Sequence, residues 1–329
     1  METRAVVFTE AEKFDMTTLT LAEPGPGDIC VRTLVSAISP GTERWFLKGK
    51  HIGSHFPIVP GYHRIGIVEK CGKDVNLFNP GDIVYGAGNR WKEKIDSMWG
   101  AHCGYSVSSP DGYRFISSSM PDKAELETTV FTIVAGVGYK GVRFLEVKPG
   151  EKMLIIGAGF IGLCAAQMTA LKQGTAVFMD TNPERIKFAK KLGFAAFNPG
   201  DKTFDKDLKS VAPEGFEMLY DTAGVPAAID RAVGYAKQWS RLLLQAQYFD
   251  AEHRIIDLDQ IKIKEMTVKT TCGVDDNDME GTFSEIKKRR LKIGPLITHR
   301  FESKDCLKGY KLLLEGKPFN MGIVFTWSK

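Results

Sequence analysis

No apolar run in this chain approaches the roughly 18–20 residues that a membrane span needs, so no transmembrane helix is expected. The six cysteines (Cys30, Cys71, Cys103, Cys164, Cys272 and Cys306) are scattered and contain no C-x-x-C pair, which argues against a disulfide framework. Cys30 and Cys164 fall in apolar runs and fit small core residues. The first residues, Met1 to Phe8, lack the charged and apolar regions of a secretory signal, and a reduced, cytoplasmic protein is expected. Charge of one sign is scarce too. Forty-four Lys and Arg face 40 Asp and Glu, a formal excess of +4. The one basic cluster, Lys287-Lys288-Arg289-Arg290, lies in a stretch read as a helix and fits a solvated face. Base-stacking motifs are missing as well, so no nucleic-acid partner is expected. There is no internal repeat and no low-complexity linker.

What is present is the composition of an ordinary globular protein, 43% hydrophobic and 26% charged over 329 residues, enough for two domains. In the first part, short apolar runs (Ala5–Phe8, Ile29–Val31, Ile65–Val68, Ile83–Tyr85) alternate with turn signals such as Pro24-Gly25-Pro26-Gly27-Asp28 and Asn79-Pro80-Gly81-Asp82. They read as strands of a mostly antiparallel domain. From about residue 150 strands and helices alternate, with strands expected at 152–156, 175–179, 195–197, 216–220, 241–246 and 266–271. That pattern predicts a doubly wound parallel sheet. A charged helix near 278–291, a helix near 304–315 and a last strand at 321–325 follow. The expected division is 1–132 with 274–329, and 133–273.

The most informative stretch is Gly157-Ala158-Gly159-Phe160-Ile161-Gly162. It follows the apolar run Met153–Ile156 and opens a helical stretch. A second apolar run, Ala176–Met179, then ends at Asp180. In this strand–turn–helix setting Gly157 permits the tight turn, Gly159 lets a pyrophosphate approach the backbone, and Gly162 lets helix and strand pack closely. The helix N-terminus offers N–H groups to the phosphates. Asp180 can accept both hydroxyls of the adenosine ribose and would repel a 2′-phosphate, which favours NAD(H) over NADP(H). Arg185, a residue able to accept a 2′-phosphate, is close by. Thr222, Ala223, Ala246 and Gln247, at the ends of later strands, complete the expected cofactor rim.

Taken in order, Pro24–Asp28, Gly41-Thr42-Glu43, Pro60-Gly61-Tyr62-His63, Gly81–Val84, Gly100-Ala101-His102, Ala135–Tyr139, the glycine loop and Pro295–His299 make the chain resemble the medium-chain dehydrogenase/reductase superfamily along nearly its whole length. The resemblance implies a GroES-like catalytic domain and a Rossmann domain. Zinc members carry Cys-Gly-Thr-Asp where this chain has Pro40-Gly41-Thr42-Glu43, and Gly-His-Glu where it has Gly61-Tyr62-His63. Their third ligand corresponds to Val134, and of the four cysteines of their structural zinc lobe only Cys103 lies nearby. No metal is therefore expected. A substitute triad of His63, His102 and Glu43 is the alternative. The segments around Ser39–Glu43 and Pro57–Tyr62 are similar to a zinc-lacking branch that includes bacteriochlorophyllide dehydrogenases, a likeness seen in the first domain.

Without a metal, a positioned acid–base group must handle the alcohol proton. His63 is the first candidate, with Tyr62 as donor and Glu43 orienting His63 or pairing with Arg64. Ser39, Trp45, Trp91, Trp99, His102 and Tyr139 match or neighbour positions that line the substrate site in relatives. The expected activity is zinc-independent, NAD-dependent interconversion of a secondary alcohol and its ketone, with a polyol, sugar-like or bulky hydroxyalkyl small-molecule substrate. An NAD(P)H-dependent enoyl or quinone reductase and a non-catalytic nucleotide-binding protein remain as alternatives. The strand Met266–Thr271, at the expected sheet edge, is the candidate surface for a homodimer, although Lys262, Lys264 and Lys269 could blunt it.

Overall fold

The elements form where apolar spacing and turn residues direct them. In the computed structural model, which describes residues 1–249, 254–316 and 319–327, the chain divides into two units, Met1–Ile133 with Ile293–Lys329, and Val134–Lys292. The first unit opens with the antiparallel pair β1 (Glu2–Glu10) and β2 (Lys13–Thr20), then β3 (Ile29–Ala37), the short helix α1 (Thr42–Leu47), β4 (Ile58–Val59) and β5 (Arg64–Cys71). After them come β6 (Ile83–Gly86), β7 (Asp96–Ser97), β8 (Tyr105–Ser108), β9 (Tyr113–Ser117) and α2 (Lys123–Thr129). Every one of the four expected strands is present. Strands β2, β4, β7, β8 and β9 were not anticipated: β4, β7 and β8 are too brief to show a period, and β2 and β9 mix polar with apolar residues and are largely half-exposed.

The second unit begins within α3 (Thr132–Leu145) and continues as β10 (Lys152–Ile156), α4 (Phe160–Leu171), β11 (Thr175–Met179), α5 (Pro183–Lys191), β12 (Ala195–Phe197), α6 (Phe204–Val211) and β13 (Phe216–Asp221). It ends with α7 (Pro226–Val233), β14 (Ala236–Leu244), α8 (Leu258–Ile263), β15 (Thr267–Thr270) and α9 (Asp276–Lys287). All six strands run parallel in the order β12-β11-β10-β13-β14-β15. The central strands β10, β11 and β13 are near-continuous buried runs because both faces of the sheet are covered there, whereas the edge strand β15 is mostly exposed. Leu154, Val177, Leu219 and Leu242 form one core with Phe204, Leu208 and Ile229 from the helices. The strand order reverses between β10 and β13. In open α/β sheets ligands bind outside the carboxyl ends of the strands at that switch.

The chain then returns to the first unit through β16 (Ile297–Glu302), α10 (Cys306–Glu315) and β17 (Gly322–Thr326). The larger sheet there has the order β16-β17-β3-β5-β6-β9, with β8 also on β3, and the smaller is β2-β1-β4-β7. Most pairings are antiparallel; β16–β17 and β4–β7 are parallel.

The return lies later than expected. The expected boundary at 273/274 assigned α9 to the catalytic domain, whereas the structure keeps it with the parallel sheet up to Lys292. The buried carboxylate of Asp278 on α9 receives Nε and Nη2 of Arg143 on α3 at 2.7 and 3.0 Å. Gly281 admits the Tyr139 hydroxyl, which would stand 2.4 Å from a Cβ there. Such contacts are invisible to a composition shift. Among the described residues no helix is long and apolar enough to cross a membrane.

Two glycines fix the turn after β10. Gly157 has φ +101°, and a Cβ on Gly162 would stand 2.3 Å from the Gly157 carbonyl oxygen. Because that neighbour is backbone, Gly162→Ala is expected to push α4 off the turn and to destabilise the protein by about 1–3 kcal/mol. Denaturant unfolding checks this, and an unchanged midpoint would show that the turn has slack.

Candidate functional site

The carboxyl edge of the parallel sheet carries the candidate cofactor site. The first helical bond of α4 runs from the Leu163 N–H to the Gly159 carbonyl at 2.9 Å, and N–H groups ahead of such a bond have no partner within the helix. A Cβ built on Gly159 meets nothing within 4 Å, so the space before these amides is open. Phe160 is buried and Ile161 half-buried; they contribute backbone and packing. Asp180, just past β11, accepts the Ala158 N–H through Oδ2 and the Asn182 N–H through Oδ1, both at 2.7 Å. These bonds fix its orientation and leave lone pairs over, since a carboxylate has about four acceptor sites. Arg185, in the first turn of α5, holds Nη1 3.8 Å from the Asp180 carboxylate. That donor and acceptor set suits a pyrophosphate and a ribose.

The ends of β13 and β14 lie beside it. The Thr222 hydroxyl donates to the carbonyls of Ile156 and Gly157 at 2.9 and 3.1 Å, and Ala223 packs against Gly157. The Ala246 N–H is occupied by the Asp221 carbonyl, so Ala246 offers only its remaining surface, while Gln247 is exposed. Asp221 was not anticipated. Fully buried, it accepts the N–H groups of Ala223 and Gly224 and the Tyr248 hydroxyl, the last at 2.6 Å, and burial pushes its carboxyl pKa up. An acid ending an apolar strand is its only sequence signal, the same signal that marked Asp180.

The first unit holds the candidate proton-handling groups, and here several expectations change. Glu43 is fully buried and neither orients His63 nor pairs with Arg64. It accepts the Ser39 N–H at 2.8 Å and the Tyr310 hydroxyl at 2.5 Å, and stands 3.2 Å from His102 Nε2. His102 Nδ1 lies 2.8 Å from the Ser36 hydroxyl, which also takes the Trp327 indole N–H at 2.8 Å. An indole N–H can only donate, so Ser36 accepts from Trp327, and an ionised Glu43, which can only accept, takes its hydrogen bond from His102 Nε2–H. The imidazole is thus held at both nitrogens within a sealed chain. His102 and Ser39 are parts of that frame rather than of a pocket wall.

His63 packs edge-on against Tyr85, ring centroids 4.6 Å apart, and its buried Nδ1 has no partner. Burial, then the charges of Arg114 and Arg64, push its pKa down to about 3. It is a neutral imidazole near neutrality and a weak base, contrary to the expectation of a group titrating near 6.5. Tyr62, by contrast, places its hydroxyl 2.9 Å from that of Thr42, the first residue of α1. Nothing in the Gly41-Thr42-Glu43 motif itself assigns Thr42 a role. Gly61, at φ +108°, makes the turn possible, since a Cβ there would stand 2.7 Å from the His102 ring.

The aromatics separate in the same way. Trp99 stands edge-on to Tyr62 with centroids 4.0 Å apart and is 41% exposed. Trp45 is half-buried with Lys48 and Lys50 ammonium groups about 6 Å over its ring. Trp91 donates its indole N–H to Ser97 at 2.9 Å and packs with the Ala5, Val7 and Leu19 cluster, so it is core. Tyr139 lies against α9, as described above, and serves helix packing.

A zinc ion fits poorly here. Among the described residues no three His, Cys, Asp or Glu side chains come together to hold a metal, and the imagined triad fails because Glu43 and His102 are consumed by their buried chain.

With this geometry in place, similarity to known proteins can be set beside it. Residues 161–288 match the zinc-binding dehydrogenase family, and residues 25–114 match the alcohol dehydrogenase GroES-like domain. The chain is 25% identical over 332 residues to 2-desacetyl-2-hydroxyethyl bacteriochlorophyllide A dehydrogenase of Rhodobacter capsulatus, covering 99% of each. The likeness to that enzyme therefore extends well beyond the first domain. It is also 25% identical to L-threonine 3-dehydrogenase of Solibacter usitatus, over 93% of this chain and 95% of that one. An alcohol dehydrogenase zinc-binding domain protein of Burkholderia ambifaria shares the fold with a TM-score of 0.85 at 14% identity, over all of both chains. Two matched domains in the same order, and a glycine turn and acid at the carboxyl edge of a six-stranded parallel sheet, lead to one conclusion: the chain belongs to the medium-chain dehydrogenase/reductase superfamily, as a zinc-type alcohol dehydrogenase-like member.

Proposed function

We propose that this protein is an NAD(H)-dependent oxidoreductase that interconverts a secondary alcohol and its ketone without zinc. The observation that carries the reading is the hydroxyl pair of Tyr62 and Thr42, with Tyr62 standing where zinc relatives carry a metal-binding histidine. The name of L-threonine 3-dehydrogenase, similar along nearly the whole chain, puts the oxidised carbon of that enzyme at the hydroxyl-bearing C3. The name of the bacteriochlorophyllide enzyme specifies a hydroxyethyl group, which supports a hydroxyalkyl substrate here.

The residues divide the work as follows. The amides at the start of α4 hold the pyrophosphate, Asp180 holds the adenosine ribose, and Thr222, Ala223, Ala246 and Gln247 form the rim. Bound nicotinamide supplies or accepts the hydride. In the reducing direction the Tyr62 hydroxyl donates to the substrate oxygen and is resupplied through Thr42. In the oxidising direction the path runs backwards: Tyr62, having passed its proton through Thr42 to solvent, accepts the alcohol proton as the phenolate. His63 stays neutral beside it and shapes the wall.

For the cofactor, Asp180→Ala is expected to weaken NADH binding about 10-fold or more, as loss of a charged hydrogen bond implies, while NADPH gains relative to NADH. Fluorescence titration of both cofactors measures this. Equal affinities in the unaltered protein would count decisively against Asp180 as the selector.

For the chemistry, Tyr62→Phe should lower kcat on a ketone panel by at least about 10-fold, the cautious end of the range for general acid–base groups. Activity should survive exhaustive chelation. His63→Asn should leave the pH profile between about pH 5 and 8 unaltered, because the imidazole carries no proton to lose there. Full kcat in Tyr62→Phe, or activity lost with a stoichiometric zinc, would reject the mechanism.

The assembly we infer is a homodimer. β15 is the edge of the parallel sheet with Val268 43% exposed, and Trp239 and Ile263 nearby are 71% and 69% exposed. Lys269 does not guard this edge, since it is drawn to Glu146 at 2.5 Å. Light scattering should give a dimer at micromolar concentration and a monomer for Val268→Lys. A monomer in the unaltered protein refutes this.

A further inference from the structure

Arg64, the first residue of β5, is fully buried. Its Nη2 donates to the Gly100 carbonyl, yet Nε and Nη1 meet no acceptor. No carboxylate lies within ion-pair distance of it among the described residues. An unpaired buried cation is a poor stabiliser, and apolar side chains of similar volume often replace buried ions without loss. Core stability therefore does not account for Arg64, and its one bond does. The same Gly100 carbonyl receives Asn89 Nδ2 at 2.5 Å and the Cys103 thiol at 3.5 Å, so three donors converge on it. The backbone they grip is left-handed at two successive residues, Trp99 with φ +60° and Gly100 with φ +74°. Tryptophan rarely adopts that conformation, and it persists only where the surroundings impose it. Its consequence is the placement of the indole, edge-on to Tyr62, whose hydroxyl meets Thr42.

We propose that Arg64 is a positioning residue: by holding the Gly100 carbonyl it keeps the Trp99–Gly100 turn left-handed, and Trp99 in turn fixes the Tyr62 ring with its hydroxyl at Thr42. This rests on Tyr62 being the proton donor only for its effect on turnover; the placement of Trp99 stands apart from that reading. The price of the arrangement is a buried charge that the fold itself does not need.

The test uses the full-length protein without substrate. Trp99→Phe identifies the near-ultraviolet circular dichroism of the Trp99–Tyr62 pair. Arg64→Met is expected to lose about half or more of that signal, and to raise acrylamide quenching of Trp99 roughly twofold, with Tm unchanged or raised. Arg64→Lys, which keeps one donor, should lie between. Ketone reduction should fall in the same order if Tyr62 is the donor. A full Trp99 signal in Arg64→Met overturns the proposal. Should Arg64→Met not fold, Arg64→Lys decides: a weakened signal at unchanged Tm supports the assignment, and a full signal with a lowered Tm makes Arg64 a stability residue and overturns it. Tyr62→Phe kinetics fail or succeed separately.

Discussion

One buried carboxylate organises the catalytic unit. Glu43 sits at the start of a six-residue helix that has no side-chain cap of its own, and it accepts from the Ser39 backbone, from Tyr310 on α10 and from His102. Through His102 and Ser36 the chain reaches Trp327, near the C-terminal end. Four stretches remote in sequence therefore meet at a single group. A buried carboxylate is tolerable only when its lone pairs are met, and charge-assisted bonds are the strong ones. The frame this creates fixes the neighbouring Thr42, and with it the surface against which Tyr62 rests. Glu43 thus bears on Thr42 through the backbone that carries both.

A second pair of acids shows how position alone divides roles. Asp180 follows β11 and Asp221 ends β13, the two strands that flank β10. Both accept backbone N–H groups. Asp221 is sealed and also bound to Tyr248, so it shapes the Thr222–Gly224 turn. Asp180 keeps acceptor capacity beside the open Gly159 amides and is able to receive a ligand. The same contrast separates the two neighbours in Gly61-Tyr62-His63. Tyr62 meets another hydroxyl, whereas His63 is driven to its neutral form by burial and by two arginines.

The Rossmann half was almost fully legible in the residues. Its central strands are dense apolar runs, Gly157 and Gly162 sit where a turn and a close contact require them, and Asn182-Pro183 announces α5, where Asn182 caps the amides of Glu184 and Arg185. The catalytic half was less so. Two- to four-residue strands carry no period, and its functional side chains lie in loops and at strand ends whose placement depends on distant partners. His102, Glu43 and Trp91 are chemically plausible site residues that packing assigned to the interior. The boundary after β15 was missed for a similar reason, because the Arg143–Asp278 bond that retains α9 joins residues 135 positions apart.

Local chemistry, then, decided the strand–turn–helix edge and set Pro40 and Val134, whose side chains cannot bind a metal, where the resemblance expects ligands. Those features rest on periodicity, on glycine geometry and on whether an atom can bind a metal at all, which are properties of the residues themselves. The folded arrangement alone decided that Tyr62 meets Thr42 while His63 is held neutral, what Glu43 holds and that Arg64 is buried. Burial, partner and tautomer are set by atoms that the chain brings together from far apart.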